Sequence, residues 1–483
     1  MRSGYQMYIN GTWQDSADGS WFDDFNPYTG EILTTVANGS QQDALLAVNA
    51  AAEAFPDWAA VAPSQKRLLF LKAADLLERR KDELIELLAR ETGAARPFAA
   101  YQAAAGPNYL REAGSQAHRV TGTILPSETT KVSMAMRHPV GVVAGISPWN
   151  CPVVLSLRAV CFAIAYGNTV VLKPSEESPV SGGVLLAELF EEAGFPGGVL
   201  NVVTHGSGSS NQIGDLFIQD RRVKRISFTG STRVGRVLAE KCGRQLKRIA
   251  LELGGNDPLI VLKDAEIDHA VNAAIFGRFL HQGQVCMNAK RLIIEKAIAQ
   301  EFTAKFVARA AALKVGNPLD AATVIGPLIN RKQYDTLDSQ VTQAVAEGAQ
   351  LLCGGYGDGL CYHPTVLDSV REDMAIFHEE TFGPVAPIIV AEDADEAVRM
   401  ANNSTYGLSA GILTNNMQQG LALARRIESG ACHVNDSPLY GETHAPLGGV
   451  NNSGWGKFGI EAMQEFTELQ WVTLEMGTRQ YPF

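Results

Sequence analysis

The 483-residue chain is too long for one ordinary core, and its length corresponds to roughly two to four domains. With 46% hydrophobic and 19% charged residues it has the composition of a folded soluble protein without an extended disordered tract. A net charge of −11 with no basic stripe argues against nucleic acid or an anionic membrane surface as a partner.

The opening MRSGYQMYINGTW lacks an apolar export core, and nowhere do about 18 apolar residues run together, so neither a signal peptide nor a membrane span is expected. Residues 5–36 alternate apolar and polar positions around Asn10-Gly11, Asp18-Gly19 and Gly30, which reads as a set of short strands. Helical spacing takes over in 40–92, where Leu and Ile fall on one face and Gly93 acts as a stop, and a further helix is expected over 98–117. Two β-rich phrases, GTILPS and KVSMAMRHP, follow.

From 140 to 252 the strand candidates GVVAGIS, NTVVLKPS, GVLNVVT, VKRISFTG and IALELGG alternate with helices. That rhythm implies a parallel sheet with right-handed crossovers. A second such series (PLIVLK, AKRLIIEK, HPTVLDSV, PVAPIIVAE, SAGILT) runs from 256 to about 445. The expected fold is therefore α/β, with two parallel-sheet units meeting at a cleft. The tail from Phe466 is strand-like again and needs a pairing partner, for which a neighbouring subunit is one candidate.

The chemistry concentrates in two phrases. Cys286 in GQVCMN and Glu252 in LELGGN supply a thiol and a carboxylate, each set among glycines. Together they can capture an aldehyde carbonyl and hydrolyse the resulting thioester, provided that the site favours the ionised sulfur. A buried structural cysteine is the plainer reading of such a residue taken alone. The seven cysteines lack metal-type spacing and the nine histidines are scattered, so no metal is assigned and a reduced cytosol is the expected compartment. His281, five residues before Cys286, reads as a structural side chain on a helix rather than a dyad partner.

Other phrases fall at strand ends. Trp149-Asn150 closes the first strand of the series, where Asn150 either satisfies a turn or donates to an oxyanion. Lys173, Ser175 and Glu176 follow the second strand, as a solvated ion pair or as a bracket for a ribose; Glu176 would repel an added 2′-phosphate. Gly230 and Ser231 open a helix, as a plain cap or as a phosphate seat. In HEETFGP, Glu380 and Phe382 could present a carboxylate and a ring to a second ribose and a flat heterocycle. No G-x-G-x-x-G fingerprint follows any predicted strand, which disfavours a standard Rossmann dehydrogenase.

With SPWN, KPSE, FTGS, LELGG, GQVC and EETFGP present in this order, the chain resembles the aldehyde dehydrogenase superfamily over essentially its full length. The resemblance implies a dinucleotide-binding domain (1–120 and 140–252), a catalytic domain (253–450), and a small β oligomerisation arm (121–139, with 451–483 as return segment and second part of the arm). It implies Cys286 as nucleophile, Glu252 as base and Asn150 as oxyanion donor. Trp149, Lys173, Ser175, Glu176, Gly230, Ser231, Leu253, Glu380 and Phe382 would hold NAD, with NADP as the alternative. A homodimer or homotetramer is implied. PWNCPVVLSLRAV resembles the subgroup acting on benzaldehyde, salicylaldehyde and vanillin, with Cys151 leaving room for a ring. Arg158 is either a structural ion pair or a partner for a phenol oxygen. Met287, Tyr440 and His444 are further candidates for the substrate pocket. Leu447 and Asn451 depart from the family's usual Phe and Lys. The reading is oxidation of an aromatic aldehyde to its acid. The alternatives are an aliphatic or semialdehyde dehydrogenase, a redox-independent cysteine esterase, and a non-catalytic relative.

Overall fold

The computed structural model describes residues 2–483. Strands Val142–Ile146, Thr169–Lys173, Leu200–Val202, Val223–Thr229 and Arg248–Glu252 lie parallel in one sheet. Val142–Ile146 and Thr169–Lys173 are buried at every position, because helices cover both faces; hence their sequences are unbroken apolar runs rather than alternations. From one edge, the strands beginning at Arg248, Val223, Val142, Thr169 and Leu200 follow one another. The order reverses between Val142–Ile146 and Val223–Thr229, so a crevice opens at their carboxyl ends.

The strands expected in 5–36 are present but divide their partners. Met7–Ile9 and Thr12–Gln14 extend the large sheet antiparallel beyond Leu200–Val202, while Gly4–Tyr5, Trp21–Phe25 and Ile32–Ala37 make a separate three-stranded sheet. The helical stretch resolves into Gln41–Ala60, Pro63–Arg79 and Lys81–Thr92. Ser40 caps the first in a capping box with Asp43, and the last ends on left-handed Gly93. Arg96–Gln116 follows, carrying Pro107 inside it.

A second seven-stranded sheet holds Pro258–Val261, Arg291–Glu295, Thr365–Asp368, Val385–Ala391 and Gly411–Leu413 in parallel pairings, with His433–Val434 and antiparallel Gln350–Cys353 at its edges. The terminal strand Thr467–Glu475 finds its partner within its own chain: it pairs antiparallel with Lys131–Pro139 along its whole length, and Gly122–Leu125 completes this third sheet. On the way there the chain straps the first sheet, since Leu253 N–H donates to Ser453 O (3.1 Å) and Gly456 N–H to Leu251 O (2.9 Å). The strap fixes the strand end that carries Glu252. No helix among the described residues is long and apolar enough to cross a membrane.

Candidate active site

The loop bearing Cys286 is held in an uncommon conformation. His281, Gln282 and Gly283 have φ of 53°, 50° and 74°, so His281 has left the helix that the sequence placed it on; that helix ends at Phe279. A side chain at position 283 would put its Cβ 2.2 Å from Gly383 O, which only glycine avoids. The loop is anchored from outside: Gln282 Nε2 donates to Gly93 O (3.0 Å) and Pro327 O (2.9 Å), and Ile329 N–H donates to Gln284 Oε1 (3.0 Å). His281 is buried against Phe98, ring centroids 4.3 Å apart, and burial pushes its imidazole down to about 3. It stays neutral and structural.

Two strand ends converge on this loop. Asn150 Nδ2 donates to Gln284 O (3.0 Å), which commits one amide hydrogen to the loop and leaves the second free, and Asn150 lines the same cavity as Cys286. Glu252 Oε1 accepts from Cys286 Sγ at 3.4 Å. The other Glu252 oxygen is ion-paired with Arg158, both side chains being buried. Arg158 also donates to Tyr109 Oη (3.3 Å) and lies over the rings of Tyr109 and Phe458. Arg158 thus has an ion-pair partner, and that partner is the carboxylate within reach of the Cys286 sulfur.

The sequence demanded a site that favours the thiolate. Here the opposite holds: burial first, and then the charge of Glu252, push the Cys286 thiol well up, against smaller downward pulls from Lys290 and Arg158. A carboxylate within hydrogen-bond reach opposes ionisation of the sulfur, although Cys286 is only half-buried and lines a cavity.

A cavity of about 240 Å³ opens beside the pair, bringing Trp149, Asn150, Gly230, Ser231, Leu253, Cys286, Glu380 and Phe382 around one space. Trp149 and Phe382 meet edge to face, centroids 5.7 Å apart. Helix Thr232–Arg244 starts at this cavity, capped by Ser231 Oγ, which accepts from Val234 N–H. A Cβ at Gly235 would sit 2.4 Å from Leu253, so glycine lets the helix start close on the sheet. The free N–H groups of that first turn suit a phosphate, and the paired aromatic walls suit a flat ring; the residues present therefore fit a dinucleotide. Helix Arg331–Ala346 contributes Gln333 and Gln340 to the same wall, which no local motif announced.

Lys173, Ser175 and Glu176 sit outside that lining, at the end of Thr169–Lys173. Lys173 Nζ donates to His205 Nε2 (2.6 Å), while His205 Nδ1 donates to Gly206 O (2.8 Å). Burial lowers Lys173 to about 8 and, with the Lys173 charge, His205 to about 4. His205 is thus a neutral acceptor that aims the lysine. The sequence offered no signal for it beyond a histidine after a strand. Glu176 Oε2 lies 3.9 Å from the same ring and remains partly exposed. Ser175 Oγ accepts from Glu177 N–H (3.3 Å).

The five pocket candidates do not share one cavity. Arg158 is buried with Glu252, and Cys151 is buried at the start of helix Pro152–Ala165, its thiol pushed up to about 12 by desolvation. Met287 is half-buried beside Cys286. His444 lines an open groove of about 590 Å³ with Tyr101, Tyr109 and Glu442, whereas Tyr440 is exposed and donates to Glu442 (2.7 Å). Tyr109 belongs both to that groove and to the Arg158 pair, so the groove approaches the reacting groups from a side of its own.

A cysteine sulfur in contact with a carboxylate, set where two strand ends of a doubly wound sheet meet a cleft whose walls fit a dinucleotide, is the arrangement expected of an α/β enzyme that works through a cysteine. The chain belongs to the aldehyde dehydrogenase family, whose model matches residues 13–472. It is 43% identical over 478 residues to the vanillin dehydrogenase of Pseudomonas fluorescens, covering 99% of each chain. It is also 43% identical over 463 residues to a benzaldehyde dehydrogenase [NAD(+)] of Pseudomonas putida, covering 95% of this chain and 94% of the other. The fold matches the crystal structure of a salicylaldehyde dehydrogenase from Pseudomonas putida G7 complexed with salicylaldehyde, with a TM-score of 0.98, 42% identity and full coverage of both chains.

Removing one oxyanion donor costs roughly a hundredfold or more in turnover. Asn150→Ala should show that loss in kcat under steady-state assay, while alkylation of Cys286 still proceeds. An unchanged kcat would take Asn150 out of the oxyanion role.

Proposed function

We propose that the protein oxidises an aromatic aldehyde to its carboxylic acid, with NAD as hydride acceptor. The observation that carries this reading is the 3.4 Å contact between Cys286 Sγ and Glu252 Oε1 at the inner end of the Trp149–Phe382 cleft. Cys286 passes its proton to Glu252 Oε1, which releases it to solvent, and the thiolate adds to the carbonyl carbon, while the second Asn150 amide hydrogen with the Cys286 N–H holds the oxyanion. Collapse of that adduct re-forms the C=O bond and expels hydride, leaving a thioester on Cys286. Glu252, oriented by Arg158, takes a proton from water, whose oxygen attacks the thioester and releases the acid and the thiol. The bound dinucleotide supplies the acceptor for hydride, while the chain supplies nucleophile, base and geometry.

NAD is favoured over NADP because Glu176 would repel a 2′-phosphate. The aromatic preference is supported by the full-length relatives named above and by Tyr101 and Tyr109 in the groove. The division into a dinucleotide-binding part, a catalytic part and an arm is supported by the two seven-stranded sheets and the three-stranded sheet that holds Thr467–Glu475. A homodimer or homotetramer is supported by the arm, where Ile124, Leu469 and Trp471 are 77%, 57% and 72% exposed. We place the enzyme in the cytoplasm, consistent with seven free cysteines.

The test is a panel of aromatic and aliphatic aldehydes assayed with NAD and with NADP. Reduced dinucleotide should form in step with acid, with the highest kcat/KM for ring aldehydes and NAD. Acid release without a dinucleotide would favour an esterase instead. For Arg158, the ion pair predicts that Arg158→Met lowers kcat for all aldehydes alike, because it frees Glu252. Leaving that buried carboxylate unpaired costs about 3–5 kcal/mol of stability, visible as a lowered melting temperature. A loss confined to hydroxylated rings would restore the phenol-binding role.

A further inference from the structure

Lys290 belongs to none of the motifs above, yet its side chain is fully buried between the two halves of the site. An ammonium has three hydrogens, and here all three are used. They go to Gly255 O (2.7 Å), Cys286 O (2.7 Å) and Glu380 Oε1 (2.6 Å). Gly255 lies three residues beyond Glu252, so this one group grips the base loop, the nucleophile loop and the carboxylate of the cofactor cleft. The Phe382 ring lies 5.5 Å away. Lys290 N–H donates to Asp257 O (2.9 Å), which fixes the root of the side chain as well.

We infer that Lys290 is a positioning residue that ties the Cys286 carbonyl to the Glu380 carboxylate and sets the electrostatic balance around the Cys286 sulfur. The inference rests on the reading of Cys286 as nucleophile and Glu380 as a cofactor-side group. Fixing the Cys286 carbonyl limits rotation about its own backbone and so holds the side chain relative to Glu252. The charges that act on the sulfur are Glu252, in direct contact, and Asp257 on one side of the balance and Arg158 and Lys290 on the other, with Tyr101 as a phenol also coupled to it. Lys290 is one of only two cations among them, and Glu380 partly neutralises it. A cofactor hydroxyl that draws Glu380 towards the ribose would weaken that neutralisation and leave more of the ammonium's field on the sulfur. Occupancy of the cleft is thereby coupled to the readiness of the nucleophile.

The two ends of the ion pair then have opposite effects, which a merely structural role would not produce. The measurement is the rate of iodoacetamide alkylation of Cys286 in the full-length protein across neutral and alkaline pH. Peptide mass spectrometry reads the site, since Cys353 and Cys432 are also half-buried. Lys290→Met should slow alkylation near neutral pH by about tenfold, equal to one unit in the thiol pKa. Lys290→Arg should recover part of that loss, and Glu380→Gln, which unmasks the ammonium, should speed alkylation severalfold. If Lys290→Met fails to fold, Glu380→Gln decides alone. No acceleration in Glu380→Gln, or a change of the same sign in both variants, would overturn the inference. Failure of the underlying reading would appear separately, as turnover surviving in Cys286→Ala.

Discussion

Cys286→Ala protein should bind NAD and make no carboxylate. Among the described residues, the substitution removes the only sulfur that both contacts Glu252 and lines the cleft; Cys151, the adjacent candidate, is buried and its thiol is pushed up by desolvation. Without covalent capture there is no adduct from which hydride can leave, so the loss should be about a thousandfold or more. NAD binding should change little, because most of the cleft wall comes from residues that do not touch the sulfur. Calorimetric titration with NAD and a steady-state assay for reduced dinucleotide separate the two effects. Turnover within tenfold of the parent enzyme would refute the nucleophile assignment.

Glu252→Gln should stall after the redox step. One equivalent of reduced dinucleotide should appear per active site, followed by a rate about a hundredfold or more below the parent. Intact-protein mass spectrometry should then find the acyl group on Cys286. The same variant should act in the opposite direction on the free thiol. The Glu252 charge raises the Cys286 pKa, so replacing it with an amide lowers that pKa and speeds alkylation near neutral pH. An unchanged steady rate with no acyl adduct would remove Glu252 from the hydrolytic step. Slower alkylation would mean instead that Glu252 helps to deprotonate the thiol more than its charge opposes ionisation. Arg158 then faces a neutral amide in a buried site, so a melting curve is the necessary control on folding.

Much of the site was legible because its groups sit in short phrases at strand ends. Trp149-Asn150, Gly230-Ser231 and Glu252-Leu253 each follow an apolar run whose length and flanks announce a strand, and parallel strands deliver their carboxyl ends to one edge. Residues that act across the fold were not legible. His205 aims Lys173 from 32 positions away, Tyr109 reaches Arg158 across 49, and Lys290 meets Glu380 across 90. Periodicity carries no information over such separations. The tail illustrates the same limit: its strand character was legible, and the family resemblance put it in one arm with 121–139, but only the structure gave the antiparallel register with Lys131–Pro139.

By itself, the order of residues determined which reactive groups exist and which strand ends carry them, because local propensity and short motifs are properties of neighbouring residues. Only the tertiary structure decided what each group faces. It paired Arg158 with Glu252, and it set burial and the Glu252 charge against ionisation of the Cys286 sulfur. Both outcomes depend on distance and on exclusion of water between segments remote in the chain.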